Sequence, residues 1–182
     1  MNVGATTDVL VVGAGLAGLF LALRLAPRRC TVLSPTVLGQ AAASAWAQGG
    51  LAAALDPADS PEQHAADTIA AGAGLVDPQV ALLIAREGPA AVAALANLGV
   101  PFDRTQTERF ALSLEAAHSQ ARVARVAGDL AGRAIMETLV TAVRRATHIQ
   151  VLEGVRAVAL AQTEGRVTGV MTRSTEGESL IS

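Results

Sequence analysis

The feature that most constrains the fold lies between residues 8 and 34. Asp8-Val9-Leu10-Val11-Val12 is a short, β-branched-rich apolar run ending on Gly13, the pattern of a strand buried on both faces of a parallel sheet. Gly13-Ala14-Gly15-Leu16-Ala17-Gly18 follows, and Leu16 to Ala26 reads as a helix with Leu19, Leu23 and Ala26 on one face, stopped by Pro27. Cys30 to Ser34 is a second strand, which completes a βαβ unit. In that context G-x-G-x-x-G has a mechanism. Gly13 permits the tight turn, Gly15 lets the backbone approach a pyrophosphate, Gly18 allows close helix packing, and the helix N-terminus faces the anion. Gly13, Ala14, Gly15, Leu16, Ala17 and Gly18 are therefore candidate dinucleotide contacts; the bland alternative is a glycine-rich turn with no ligand. The acid expected about 20 residues on, to bind a ribose hydroxyl, is missing. Ser34-Pro35 stands there, and the Ser34 hydroxyl is the candidate, a weaker partner than a carboxylate.

Composition excludes several function classes. The chain has 182 residues, 51% of them hydrophobic and 16% charged, enough apolar material for a core and too little charge for general disorder. A net charge of -2 gives no surplus of basic side chains for tracking phosphates, so a nucleic-acid partner is not expected. All 14 basic residues are Arg, which removes a Schiff-base lysine and the lysine of a phosphate-binding P-loop. The single cysteine, Cys30, forms no internal disulfide and suits a reducing compartment. No Cys/His cluster suggests a metal, and no Ser-His-Asp order suggests acyl transfer. The most apolar stretch, Val9 to Leu23, is broken by three glycines, is shorter than the roughly 20 residues of a spanning helix and is preceded by Asp8 and by no Lys or Arg. A soluble, cytoplasmic protein with no membrane partner is expected.

Periodicity is lost from Pro35 to Asp59, a long connection of small residues of the kind that is usually functional. Ser60-Pro61-Glu62-Gln63 starts a helix to about Ala71. Asp77-Pro78 opens another through Leu98, with a kink or break at Gly88-Pro89 and a stop at Gly99. Val100 to Gly128 reads as irregular and polar, and a helix from about Leu130 to Ala146 follows, with Ile135, Leu139, Ala142 and Val143 on one face. Ile149 to Glu153 is a third strand. Val155 to Gln162 and Val167 to Arg173 then flank Thr163-Glu164-Gly165-Arg166 as an antiparallel hairpin, and one more strand follows Thr175-Glu176-Gly177. His64 and His148 read as surface residues, and Asp129 as a cap for the helix after it.

A βαβ start, a helical insertion and a late antiparallel meander resemble the two-dinucleotide-binding-domain flavoproteins. Ala43-Ser44-Ala45-Trp46-Ala47-Gln48-Gly49-Gly50-Leu51-Ala52-Ala53 is similar to the S-x-x-A-Q-G-G-[IL]-A-A loop of the succinate dehydrogenase and fumarate reductase flavoprotein family. The element order, with Asp67-Thr68-Ile69-Ala70-Ala71-Gly72-Ala73-Gly74-Leu75, Glu115-Ala116-Ala117-His118-Ser119, Arg122-Val123 and Gly128-Asp129-Leu130-Ala131-Gly132-Arg133, resembles the N-terminal part of the aspartate oxidases within that family.

The resemblance implies an α/β, Rossmann-like FAD-binding domain that is incomplete over residues 1–182. The family's capping and substrate domain, its C-terminal helical domain, its later A-T-G-G segment and its arginine base have no counterpart here. It implies FAD-dependent oxidation of L-aspartate to iminoaspartate, with oxygen or fumarate as acceptor, on the quinolinate branch of NAD biosynthesis, and quinolinate synthase as a partner. The chain by itself is then expected to be inactive. Ala43, Ser44, Ala45, Trp46, Ala47, Gln48, Gly49 and Gly50 would line the flavin. Small residues let backbone N–H groups approach the ring, and Gln48 offers a donor and an acceptor; the bland alternative is a flexible linker.

Ala43 stands where covalent family members carry the flavin-linking histidine, so noncovalent FAD is implied. Arg156 and Ala157 match the segment on the adenine side of FAD. Glu115 matches the glutamate taken to contact the substrate ammonium, with Ala116-Ala117 where the family has two glycines; as a carboxylate it pairs with an ammonium and influences its deprotonation. Its bland alternative is an exposed loop acid. His118 and Arg122 match positions beside the site, as candidate ligands of a dicarboxylate, and His118 serves equally well as a structural hydrogen-bonding residue. Pro35 replaces the family's lysine after the second strand. The competing expectations are a fumarate reductase or succinate dehydrogenase-like flavoprotein, a non-catalytic FAD-binding fragment, and a plain NAD-binding module.

Overall fold

The computed structural model describes residues 7–40 and 42–182; Ala41, inside the aperiodic connection, lies outside the described residues. The elements run β1 (Val9–Val12), α1 (Leu16–Arg24), β2 (Cys30–Ser34), a single 3-10 turn (Ala43–Trp46), β3 (Gly50–Ala52), α2 (Pro61–Ala71), α3 (Pro78–Asn97), β4 (Leu112–Ser113), β5 (Val123–Arg125), α4 (Ala131–Arg145), β6 (Ile149–Glu153), β7 (Arg156–Thr163), β8 (Arg166–Ser174) and β9 (Gly177–Ile181). They form two compact units, one of Met1–Ala45 with Leu139–Ser182 and the other of Trp46–Thr138.

In the first unit β1, β2 and β6 make a parallel sheet with β2 in the centre. Burial on both faces belongs to β2, every residue of which is buried, whereas Val12 of β1 is 55% exposed. The expectation for β1 is corrected, because β2 is the strand flanked on both edges and β1 is paired on one among the described residues. Strand alternation sends Val11 and Leu33 to opposite faces. Gly18 of α1 lies over Val11 on one face. On the other, Leu33 packs with Val170 and Ile181 of the β7-β8-β9 meander, joined by Leu10, Leu152, Val155 and Ala157. The β7–β8 turn is Glu164-Gly165, with φ of 52° and 77°, the two left-handed residues of a primed hairpin turn.

In the second unit α2 starts on Ser60, whose hydroxyl accepts the Gln63 N–H at 3.1 Å, and α3 starts on Asp77, whose carboxylate accepts the N–H groups of Gln79 and Val80. The helix runs through Pro89 without the break that was one of the two expectations there. A Cβ built on Gly88 would stand 3.4 Å from Ala53 Cβ, ordinary contact, so the helix lies close against the chain after β3. α2 and α3 pack through Ala65, Ala81 and Ala85 with Ile69, Val76 and Leu82. By length and composition α3, rather than Val9 to Leu23, is long and apolar enough to cross a membrane.

Two segments expected to be irregular carry short strands. β3 pairs with β5 and β5 with β4, all antiparallel, so the small-residue connection and the polar stretch are joined by one ladder. Strands of two or three residues are too short for alternation to show in sequence. Gly50 is needed there, because a Cβ would collide with the Ala124 carbonyl oxygen of the facing strand.

Candidate functional site

The fingerprint sits where its chemistry requires, at the carboxyl end of β1 and the N-terminus of α1. Gly13 has φ of 111° and open space where a Cβ would point, and its N–H donates to the Leu33 carbonyl at 3.1 Å. A Cβ on Gly18 would strike the Gly13 carbonyl oxygen, so Gly18 is required for helix and turn to meet. Gly15, the N-cap, contributes no side-chain bond to α1. Ser44 takes that part instead: its Oγ accepts the Leu16 N–H at 3.2 Å and lies 3.4 Å from where a Gly15 Cβ would be. These observations fit a pyrophosphate cradle, with glycine at the points of close approach at a helix start.

At the end of β2 the Ser34 side chain is 3% exposed relative to an open chain and donates its hydroxyl to the Thr36 carbonyl at 2.7 Å. The carboxylate at this end of the sheet comes from the next strand. Glu153 of β6 stands in register with Ser34, is exposed, and accepts the Leu38 N–H on Oε1 at 2.8 Å. It is not visible along β2 in the sequence, because parallel pairing places residues 119 apart in sequence side by side. Arg156 is exposed, while Ala157 packs into the Leu33 cluster.

In the second unit Gly49 of the Ala47-Gln48-Gly49-Gly50 segment meets the candidate acid. Glu115 is exposed, and its carboxylate oxygens lie 3.8 and 3.9 Å from where a Cβ on Gly49 would stand; Gly49 itself has φ of 72°. The Ser113 hydroxyl is 3.5 Å from Glu115 Oε1. Ala47 accepts the Gly132 N–H at 3.2 Å, while Trp46 and Gln48 are exposed. Ala117 holds φ of 69°, a left-handed conformation in an alanine at a position where the family pattern has glycine.

His118 and Arg122 are together, but Arg122 is not open to a ligand. Its side chain is fully buried and forks onto Asp59, Nε to Oδ2 and Nη2 to Oδ1, both at 2.9 Å. Nη1 bonds to Asp67 Oδ2 at 2.6 Å and lies 3.3 Å from His118 Nδ1. Asp67 Oδ2 also accepts the Ser119 N–H at 2.8 Å and the Ser119 hydroxyl at 2.7 Å; these bonds, then Arg122, hold its carboxyl down at about 2. Burial pulls the Arg122 guanidinium down, but the bonds from Asp59 and Asp67 outweigh it and leave it above the usual arginine value. The expectation that Arg122 binds a dicarboxylate is therefore corrected, since two protein carboxylates already occupy its fork.

His64, expected on the surface, is 8% exposed and packs edge-on against His118 with ring centroids 5.6 Å apart. Burial, with Arg122 and His118 nearby, lowers its pKa, and its Nδ1 has no partner. The sequence signal was His64 and Asp67 at i, i+3 on α2, with Asp59 just before the helix. Asp129 pairs with Arg125 at 3.3 Å. Among the described residues no group of three His, Cys, Asp or Glu is placed to hold a metal.

A nucleotide cradle at a strand-to-helix turn, and a carboxylate facing a glycine loop, define a flavoprotein of the dinucleotide-binding class. The chain belongs to the FAD binding domain family, whose model matches residues 8–181, and FAD is its cofactor. It is 58% identical over 166 residues to an L-aspartate oxidase of Caulobacter vibrioides, a match covering 89% of this chain and 32% of that protein. It is 47% identical over 163 residues to an L-aspartate oxidase of Mesorhizobium japonicum, covering 90% and 32%. Among solved structures it is similar to the Mycobacterium smegmatis Sdh1 complex in the apo form, at 30% identity and a TM-score of 0.86 over 96% of this chain and 32% of that one. It shares the fold of an E. coli quinol fumarate reductase FrdA variant, at 24% identity and a TM-score of 0.84 over 91% and 29%. The chain thus spans about a third of the length of the curated relatives it matches.

Proposed function

We propose that this chain is the flavin-binding part of an enzyme that oxidises L-aspartate to iminoaspartate, with oxygen or fumarate as electron acceptor, in the quinolinate branch of NAD biosynthesis. The carrying observation is the Glu115 carboxylate facing Gly49 of the flavin loop. When bound, FAD supplies the hydride acceptor. Gly13, Gly15, the α1 N-terminus and Ser44 would hold its pyrophosphate, Ser34 its ribose, and Arg156 and Ala157 its adenine side. Ala43 to Gly50 would lie against the ring, held noncovalently because Ala43 offers no nucleophile. Glu115, an acceptor aimed at the flavin loop, would pair with the substrate ammonium and take up its proton. His118 would donate a ring N–H to a substrate carboxylate.

The reading includes a soluble, cytoplasmic location and transfer of the unstable imine to a quinolinate synthase. Capping and C-terminal domains supplied by a longer polypeptide belong to it too, so that these 182 residues alone are inactive. Catalysis is tested by replacing the matching third of the Caulobacter vibrioides relative with residues 8–181 and adding substrate without oxygen. Bleaching of the flavin by aspartate is expected; bleaching by succinate alone would overturn it. A second reading is a non-catalytic FAD-binding fragment. It predicts FAD retention by the 182-residue chain and aspartate oxidation in no context.

A further inference from the structure

The buried Arg122 dictates the state of the histidine beside it. A guanidinium has five N–H donors and no acceptor. Nε and one Nη2 hydrogen are spent on Asp59 and one Nη1 hydrogen on Asp67, and the other Nη1 hydrogen is the one available to His118 Nδ1, 3.3 Å away. A contact with a group that only donates makes Nδ1 the acceptor, so the ring hydrogen of neutral His118 sits on Nε2. The opposite tautomer would set two N–H groups head to head. The fork is held hard: Arg122 and Asp59 have side chains 0% and 1% exposed, and Asp67 is fixed in turn by the Ser119 N–H and hydroxyl.

We propose that Arg122 is a positioning residue that locks His118 as the Nε2–H tautomer, so that His118 presents a neutral N–H donor to a carboxylate oxygen of the substrate. The substrate clause rests on the aspartate reading; the tautomer clause does not. One network thereby does two things: Asp67 and Ser119 tie the 115–119 loop to α2, and Arg122 chooses which nitrogen of His118 carries the hydrogen. His64, edge-on at 5.6 Å, packs against the same ring.

The test is a long-range proton–nitrogen correlation spectrum of the uniformly 15N-labelled chain at neutral pH, without substrate. The sequence has three histidines, which single His→Gln variants assign. His148 is the internal standard, because its Nε2 lies 3.1 Å from the Ala22 carbonyl, an acceptor, and it belongs to the other unit. Wild-type His118 is expected to show Nδ1 bare and Nε2 protonated. In Arg122→Lys the minor tautomer should rise about tenfold, the loss of one hydrogen bond to a charged donor, while His148 is unchanged. If Arg122→Lys does not fold, the wild-type spectrum decides by itself, since it reads directly which nitrogen of His118 carries the hydrogen.

Wild-type His118 protonated on Nδ1, or a folded variant that keeps the wild-type pattern, overturns the inference. A mutation acting on stability alone leaves the tautomer ratio where it was. With no substrate in the tube, a fixed tautomer together with no oxidation of aspartate by the chimera would sink the aspartate reading and leave the Arg122 inference standing.

Discussion

Replacing Arg122 with methionine isolates the energetics of the network. The substitution roughly keeps side-chain length and removes every donor, leaving the Asp59 carboxylate, 1% exposed, with both former guanidinium bonds gone and only the Ser60 N–H on Oδ1. Stripping one partner from a buried pair costs about 3–5 kcal/mol, because the remaining charge stays desolvated. With a urea slope of about 2 kcal/mol/M the midpoint falls by roughly 2 M, a large part of a typical domain's stability. Far-ultraviolet circular dichroism is the suitable probe, since the single tryptophan, Trp46, is already 81% exposed and reports little on unfolding. Pairing Arg122→Met with Asp59→Leu removes the stranded charge, and the double variant should recover more than half of the loss. A single variant destabilised by less than about 1 kcal/mol, or a double variant with the sum of both losses, would refute the claim that this pair is structural.

Three further outcomes follow from the geometry. Ala117→Gly should raise stability by about 1 kcal/mol in urea titration, because the left-handed conformation at φ of 69° costs alanine and not glycine; a loss of stability would refute it. Gly18→Ala should abolish FAD retention on gel filtration and cost about 1–3 kcal/mol, since a methyl would displace the Gly13 carbonyl, and unchanged retention would contradict the cradle. The His64 imidazole is depressed below its ordinary 6.5, so the unfolded chain binds more protons there; its contribution is complete above that value and is lost as pH falls. His64→Gln should therefore flatten the fall in urea midpoint below pH 6.5, and an identical profile would count against a neutral buried ring.

The parts of the fold readable in sequence are those with a local cause. β2 and β6 were expected at their observed bounds, and the caps Ser60 and Asp77 announce α2 and α3. Pro89 does not break α3, because a proline inside a helix removes one bond, and packing against α2 and the chain near Ala53 restrains the rest. β3, β4 and β5 were missed because three-residue ladders are decided by partners far along the chain. In the site, the left-handed turn at Gly13 and the close packing at Gly18 have the local cause that the glycine pattern announces, whereas the facing of Gly49 by Glu115 comes from the fold. The role of Arg122 was not legible: the sequence shows an arginine near a candidate site, and only the fold brings Asp59, just before α2, and Asp67 of α2 onto it.

The most direct test of the central claim uses the chimera carrying residues 8–181 in the Caulobacter vibrioides relative, with and without Glu115→Gln, and compares anaerobic flavin reduction by aspartate and by succinate. Losing a charged hydrogen-bond partner of the ammonium is worth about 1.5–3 kcal/mol, so reduction by aspartate should slow roughly 10- to 150-fold with FAD content unchanged and with any slow reaction with succinate unaffected. Equal slowing with both substrates, or none with aspartate, would contradict Glu115 as the group that reads the substrate amine.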